Sequence, residues 1–309
     1  MNLELFLIVL INSLFDAAVL ALATFGITLI FRTSSTTNFA QGSIASFSVY
    51  IAFIISNSIY STLDPSVVDA SAWWVFLVSV AVSLLFGFLL GLIVDVVLIR
   101  NAKDITPRGK QMITMGLILV FASLIDIIFG VSPMKMKELS SQNLNVSFSQ
   151  FVLNIPIHKT VAIVVALIAL AVLFIALRNT KWGLGVRATA ANETVASMMG
   201  INTHLITALS WGLAGALGAL AAAFYAPFAG NLNPNLMGSI QVNGFLALIL
   251  GGASTFYGPV VAAIIIPFLN NYLAVPFTKW SSVLVYAIVL LVVLWKPNGL
   301  FGKKVIKKV

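Results

Sequence analysis

The sequence predicts an all-α protein, a polytopic transmembrane helical bundle of about 8 to 10 spans with a short helix on the cytoplasmic side. Three observations predict it. Of 309 residues, 60% are hydrophobic and only 8% charged, against roughly 25% charged in an ordinary soluble domain. Mean hydropathy is +1.07. The basic residues gather in alternate connections between the apolar runs, as a topology signal does. The runs cover nearly everything, so residues 1–309 read as a single transmembrane domain.

Apolar segments able to cross roughly 30 Å of hydrocarbon at about 1.5 Å per residue run over 3–31, 36–60, 72–99, 111–131, 160–177, 203–229 and 253–275. Two are shorter, 238–250 and 281–295, each reaching only about 20 Å as a straight helix. That gives about nine crossings, with 238–250 either a crossing or a discontinuous, re-entrant piece. Ala21-Leu22-Ala23 looks like a cleavage signature, yet no Lys or Arg precedes Arg32 and Glu4 is acidic, so the first run reads as an uncleaved span.

Alternating the connections places only Lys135, Lys137, Lys159 and Lys279, of 17 Lys and Arg, on one side. The positive-inside rule then puts the N-terminus outside and the C-terminus, with Lys303, Lys304, Lys307 and Lys308, in the cytoplasm. The loop 132–159, with Ser140, Ser141, Gln142, Asn143 and Asn145, falls outside and reads as flexible, with short local structure as the alternative. A net charge of +8 is explained by this topology and needs no nucleic acid.

Catalysis finds little support. There is no cysteine, which removes disulfides, thiolate metal sites and cysteine nucleophiles together. His158 and His204 stand apart at segment ends, read as interfacial, and no H-E-x-x-H or G-x-S-x-G occurs. Gly109-Lys110 is followed by Gln111 rather than Ser or Thr, and Asp104 stands where a phosphate loop needs glycine. No metal site and no cofactor is expected on this chain.

Inside the spans, carboxylates occur at Asp16, Asp95 and Asp126, and each calls for a partner or a wet cavity. Asp95 is close to Arg100 and Asp126 lies toward an outer end, whereas Asp16 is mid-span. Amides and hydroxyls interrupt the spans at Asn12, Thr24, Thr28, Asn38, Gln41, Gln241 and Asn243. Asp16, Thr24, Asn38, Gln41, Gln241 and Asn243 are the candidate substrate pathway, since broken helices that carry amides inward often build such a site. Hydrogen bonding between helices is the alternative for each. "GLAGALGALAAA" from Gly212 to Ala223 supplies small-residue lines for close helix packing, within the bundle or between subunits.

One polar insert, "LGVRATAANETVASMMGIN" at residues 184–202, falls on the basic side. Ala191, Val195, Met198 and Met199 recur at helical spacing, Asn192, Glu193 and Ser197 occupy other faces, and Gly200 supplies a stop. It reads as a short amphipathic helix. Lacking the basic face and bulky anchors of a lipid-surface helix, it suits a protein groove.

The insert, with "GLAGALGALAAAFYAPFAGNLNP", "GFLALILGGASTFYGPVVAA", "WKPNGLFGKK" and, near the front, "LALATFGITLIF" and "TNFAQGSIA", resembles the permease subunits of bacterial branched-chain amino acid ABC importers, and most the H-type subunit. The resemblance runs the length of the chain. It implies a non-enzymatic subunit of the bacterial inner membrane that pairs with a second related permease, rests on two cytoplasmic ATPases that hold ATP and Mg, and receives cargo from an extracytoplasmic binding protein. Residues 188–200 match that family's coupling helix, which gives Arg187, Asn192, Glu193, Ala196, Met199 and Gly200 a docking role. Two departures stand out: the family commonly has histidine at Gln41 and a small residue near Asp16. Urea, amides or other small polar solutes are the alternative cargo. An ion-coupled secondary transporter using Asp16 or Asp126 is the rival mechanism.

Overall fold

A computed structural model describes residues 3–63, 73–102, 105–147 and 151–302. The chain is a polytopic helical membrane protein. Its helices are α1 (Leu3–Ser34), α2 (Gln41–Thr62), α3 (Trp73–Ile93, continued by a π-helical turn Val94–Ile99), α4 (Pro107–Phe129) and α5 (Ile157–Asn179). Two short helices follow, α6 (Lys181–Ala191) and α7 (Glu193–Met198). Then come α8 (Thr203–Tyr225, closed by a 3₁₀ turn Ala226–Phe228), α9 (Gly238–Gly251), α10 (Tyr257–Ala274) and α11 (Ser281–Trp295). Among the described residues, seven helices are long and apolar enough to cross a membrane, and α9 and α11 are the shorter apolar pair.

Local chemistry sets the boundaries. Pro107 opens α4, where its missing N–H costs nothing, and Thr106 accepts from Gly109 N at 3.3 Å. Asn202 caps α8 through Leu205 N at 3.0 Å. Gly252, at φ +94°, ends α9. The α9 carbonyls left open there accept from the C-terminal segment, Leu300 N to Leu250 O at 2.8 Å and Phe301 N to Gly251 O at 3.2 Å.

The helix ends sort into two sets. At one, Arg100 Nη2 donates to His204 O at 2.7 Å, Gln111 Nε2 to Thr37 Oγ1 at 3.1 Å, and Arg32 lies 5.3 Å from the Phe256 ring centre. At the other, Lys159 Nζ donates to Asn12 Oδ1 at 2.7 Å, Leu232 N to Met134 O at 2.7 Å, and Lys137 lies 4.3 Å from the Tyr60 ring centre. The first is called the basic end, the second the hairpin end. The lysines at 303, 304, 307 and 308, and Asp104, lie outside the described residues.

α2 and α8 are the most enclosed spans, α4 and α5 the most peripheral. α3 packs on α8 as α10 packs on α1, α2 on α3 as α9 on α10, and α2 on α8 as α9 on α1. Helices α1–α4 and α8–α11 therefore form two matching halves. α1 and α8 are antiparallel, since Phe15 meets Phe228 while Gly26 meets Ala214, so the halves are inverted relative to each other.

The small residues of α8 serve this bundle. Gly215 lies on the Gly87 carbonyl, Gly91 on the Trp211 carbonyl and Gly212 on the Phe88 ring. A Cβ at Gly87, Gly91 or Gly215 would strike backbone, so this helix approach depends on glycine.

One expectation changes and one open alternative is decided. The loop 132–159 holds a two-stranded antiparallel hairpin, β1 (Asn143–Ser147) and β2 (Val152–Pro156), with Asn145 opposite Asn154. Alternate polar and branched residues on each arm pair their backbones rather than stay flexible. The open alternative concerns α9, which starts within the thickness of the bundle. α2 sets out from the basic end and α9 from the hairpin end, yet their first turns meet: Gln241 Nε2 donates to Phe39 O at 2.5 Å and Met237 N to Ser46 Oγ at 3.2 Å. Residues 229–237 come in from the hairpin end before the helix begins, which is the discontinuous form of this crossing.

Candidate functional site

A cavity of about 190 Å³ opens between α1, α9, α10 and α11, capped by Tyr225 from the end of α8. α1 supplies Asp16, Val19 and Leu20, three and four residues apart and so on one face. α9 supplies Ser239, Ile240 and Asn243, α10 supplies Ile266, Pro267, Asn270 and Asn271, and α11 supplies Ser282, Val285 and Tyr286. The lining pairs its own polar groups: Asn271 Nδ2 donates to Asp16 Oδ2 at 2.9 Å, Tyr286 OH to Asn243 Oδ1 at 3.2 Å, and Ser282 Oγ to Asn270 Oδ1 at 3.3 Å. Asp16 lies one helical turn inward of Asn12, which Lys159 holds at the hairpin end, so it sits nearer that end than a mid-span position suggests.

Of the six candidate pathway residues, the cavity unites Asp16 and Asn243. Asn38, Gln41 and Gln241 belong to a separate knot near the start of α2. There Asn38 Nδ2 donates to Gln41 Oε1 at 3.2 Å, Gln41 Nε2 to Ala214 O at 2.6 Å, and Asn38 Oδ1 accepts from Ala40 N at 3.0 Å. Gln241 adds its bonds to Phe39 O and Gly42 N. The Asn38 and Gln41 side chains are buried, and the knot spends its amides joining α2, α8 and α9. A void of only about 10 Å³ remains beside it, about one water molecule. Thr24 is buried between these two regions, and its hydroxyl has no hydrogen-bond partner among the described residues.

Asn270, Asn271, Ser282 and Tyr286 are additions that the sequence reading lacked. Two consecutive amides after Pro267, inside an apolar span, were the available signal. Their convergence on Asp16, more than 250 positions earlier, has none.

At the basic end, the predicted single helix is two. Asn192, at φ −163° and ψ 109°, breaks the run and caps α7 by accepting from Val195 N at 3.0 Å. Gly200, at φ +83°, closes it: Gly200 N bonds Ser197 O at 3.0 Å and Ile201 N bonds Ala196 O at 3.1 Å. Arg187, Asn192, Glu193, Met199 and Gly200 are exposed. Ala196 is buried toward the bundle, so it seats α7 on its own chain rather than presenting a surface. Met198 and Met199 are 80% and 78% exposed, and Val195 is exposed beside them.

The histidines and the other two carboxylates of the spans lie outside the cavity and the knot. His158 is fully buried rather than interfacial: its Nδ1 accepts from Leu139 N at 2.9 Å and its Nε2 bonds Phe224 O at 3.0 Å, among the rings of Phe76, Phe224 and Phe228. An accepting Nδ1 fixes the proton on Nε2. His204 is exposed at the basic end. Asp95 pairs with Arg100 at 3.2 Å, and Asp126 is exposed near the end of α4.

Comparison with known proteins follows this geometry. The family model described as the branched-chain amino acid transport system permease component matches residues 9–294. The high-affinity branched-chain amino acid transport system permease protein LivH of Escherichia coli (strain K12) is 24% identical over 94% of this chain and 93% of its own length. The probable branched-chain amino acid transport permease protein LivH of Methanocaldococcus jannaschii is 26% identical over 92% and 88%. The ribose import permease protein RbsC of Haemophilus influenzae is 29% identical over 50% and 49%. The solved structure of PsaBC from Streptococcus pneumoniae in complex with Fab aligns over 93% of this chain and 90% of that one at 12% identity, with a TM-score of 0.48, a likeness too distant to bear on the site.

Proposed function

The chain belongs to the family of branched-chain amino acid transport system permease components, and from that premise we propose that it is the membrane-spanning subunit of a binding-protein-dependent ABC importer for amino acids. ATP hydrolysis, with its Mg, belongs to two partner ATPases on the cytoplasmic face. A second related permease completes the pathway, and an extracytoplasmic binding protein delivers cargo. The basic end faces the cytoplasm and the hairpin end the exterior, in accord with the distribution of Lys and Arg.

The observation that carries this reading is α7. A capped, six-residue helix projects Val195, Met198 and Met199 from the basic end while Ala196 anchors it to the bundle. Exposed methionines beside Glu193 and Arg187 suit a groove in a partner. Because α7 touches α8, which packs on α1, α2 and α3, a push on α7 reaches the enclosed helices, as a rigid-body switch requires. Asp16, one helical turn inward of the Lys159–Asn12 pair at the hairpin end, then lies toward the side where cargo arrives.

The test is gentle affinity purification of the chain from native membranes with mass spectrometry of what accompanies it, followed by uptake in proteoliposomes containing the recovered assembly. One related permease and one or two ABC ATPases, with uptake that stops without ATP, is the expected result. Gradient-driven uptake by the chain alone would replace this reading with the ion-coupled one.

A further inference from the structure

Each helix brings both polar and aliphatic groups to the cavity, and its charge is of one sign. Asp16 is the sole carboxylate in the lining, and no Lys, Arg or His lines it. One Asp16 oxygen accepts from Asn271, and among the described residues the other has no hydrogen-bond donor and the carboxylate has no cation within 4.0 Å. Lys159, the cation that Asp16 senses through space, is spent on Asn12 and on the rings of Phe15 and Phe228, at 5.4 and 4.9 Å from their centres. A carboxylate held inside a bundle with half its acceptor capacity open is a place for a donor that carries positive charge. The lining also holds Leu20, one turn along α1 from Asp16, with Ile240, Ile266 and Val285, which suit a short branched apolar body. At about 190 Å³ the space is smaller than the roughly 300–1,000 Å³ of drug-sized sites, so it fits a single small solute.

We propose that this cavity is a cargo site that reads the ammonium end of its ligand on Asp16, so that it selects ligands with an ammonium group, amino acids and their amides among them, over acids of the same shape that lack one. This rests on the transport reading but is tested apart from it, because it concerns binding by the chain alone. An acid that lacks an ammonium group brings only a like charge to Asp16, whereas the amides of Asn243 and Asn270, whose oxygens accept from Tyr286 and Ser282, are met by either kind of ligand.

The experiment uses the full chain in lipid nanodiscs and two probes with one aliphatic body: leucinamide, a cation, and 4-methylpentanoate, an anion. Equilibrium dialysis at neutral pH should show leucinamide bound at least tenfold more tightly. Asp16→Asn should weaken leucinamide at least tenfold, and Asp16→Glu should restore most of it. Equal binding of the two probes, no binding of leucinamide, or indifference of a folded Asp16→Asn protein would each overturn the proposal. The comparison of probes on the wild-type chain decides even if a variant fails to fold. ATP-dependent uptake by the assembly, measured separately, tells failure of this site from failure of the importer reading.

Discussion

His158 shows how a residue type misleads without its surroundings. A histidine at the edge of an apolar run reads as interfacial, yet its ring ties the hairpin-end loop at Leu139 to the end of α8 at Phe224. Replacing it by phenylalanine keeps the aromatic packing and strands a buried N–H and a buried carbonyl, each worth about 1–3 kcal/mol. His158→Phe should therefore lower the thermal unfolding midpoint in detergent by several degrees, and an unchanged midpoint would show that both groups find other partners. Ala196 is a second such case. Ala196→Trp should reduce the folded yield because the site is buried. Met198→Asp with Met199→Asp should leave monodispersity intact and sharply reduce ATPase co-purification, since both side chains are exposed. Equal losses from both changes would remove the distinction between seat and surface. The residue types at these positions were legible, but which face is buried was not, because it depends on α8 lying beneath α7.

At the scale of elements, the close approach of α3 to α8 is the most demanding packing in the bundle. Without a hydrophobic force between helices in lipid, van der Waals contact and small residues hold such a crossing. Gly87→Val or Gly215→Val should cut the monodisperse fraction several-fold on size exclusion, because a side chain there meets backbone of the facing helix. Gly116→Ala on α4, which faces open space, should match wild type. Full tolerance at Gly87 would mean that the helices separate freely. Element positions were read closely from hydropathy alone, since a bilayer demands long apolar runs with satisfied backbones. The hairpin escaped that reading because it lies outside the hydrocarbon. The break at Asn192 escaped because the competition between helix interior and N-cap is settled by one local hydrogen bond.

For the whole molecule, orientation is the decisive property, and a chain with no cysteine offers a clean background for it. Single cysteines at Met198 and at Ser140 should label from opposite faces with an impermeant maleimide, Met198 only after the cytoplasmic face is exposed and Ser140 in intact cells. The reverse pattern would invert the topology. By itself, the sequence determined that this is a helical membrane protein, where its long spans lie, and which ends gather positive charge. These follow from a solvent that penalises every unpaired backbone group and from charges that resist crossing. Only the tertiary structure decided that Asp16 and Asn243 share a cavity with Asn270, Asn271 and Tyr286, while Asn38, Gln41 and Gln241 are consumed in joining helices. An amide in an apolar run must find a partner in either case. Whether that partner is another helix or the wall of a cavity is set by the inverted packing of the two halves, which brings together residues far apart in the chain.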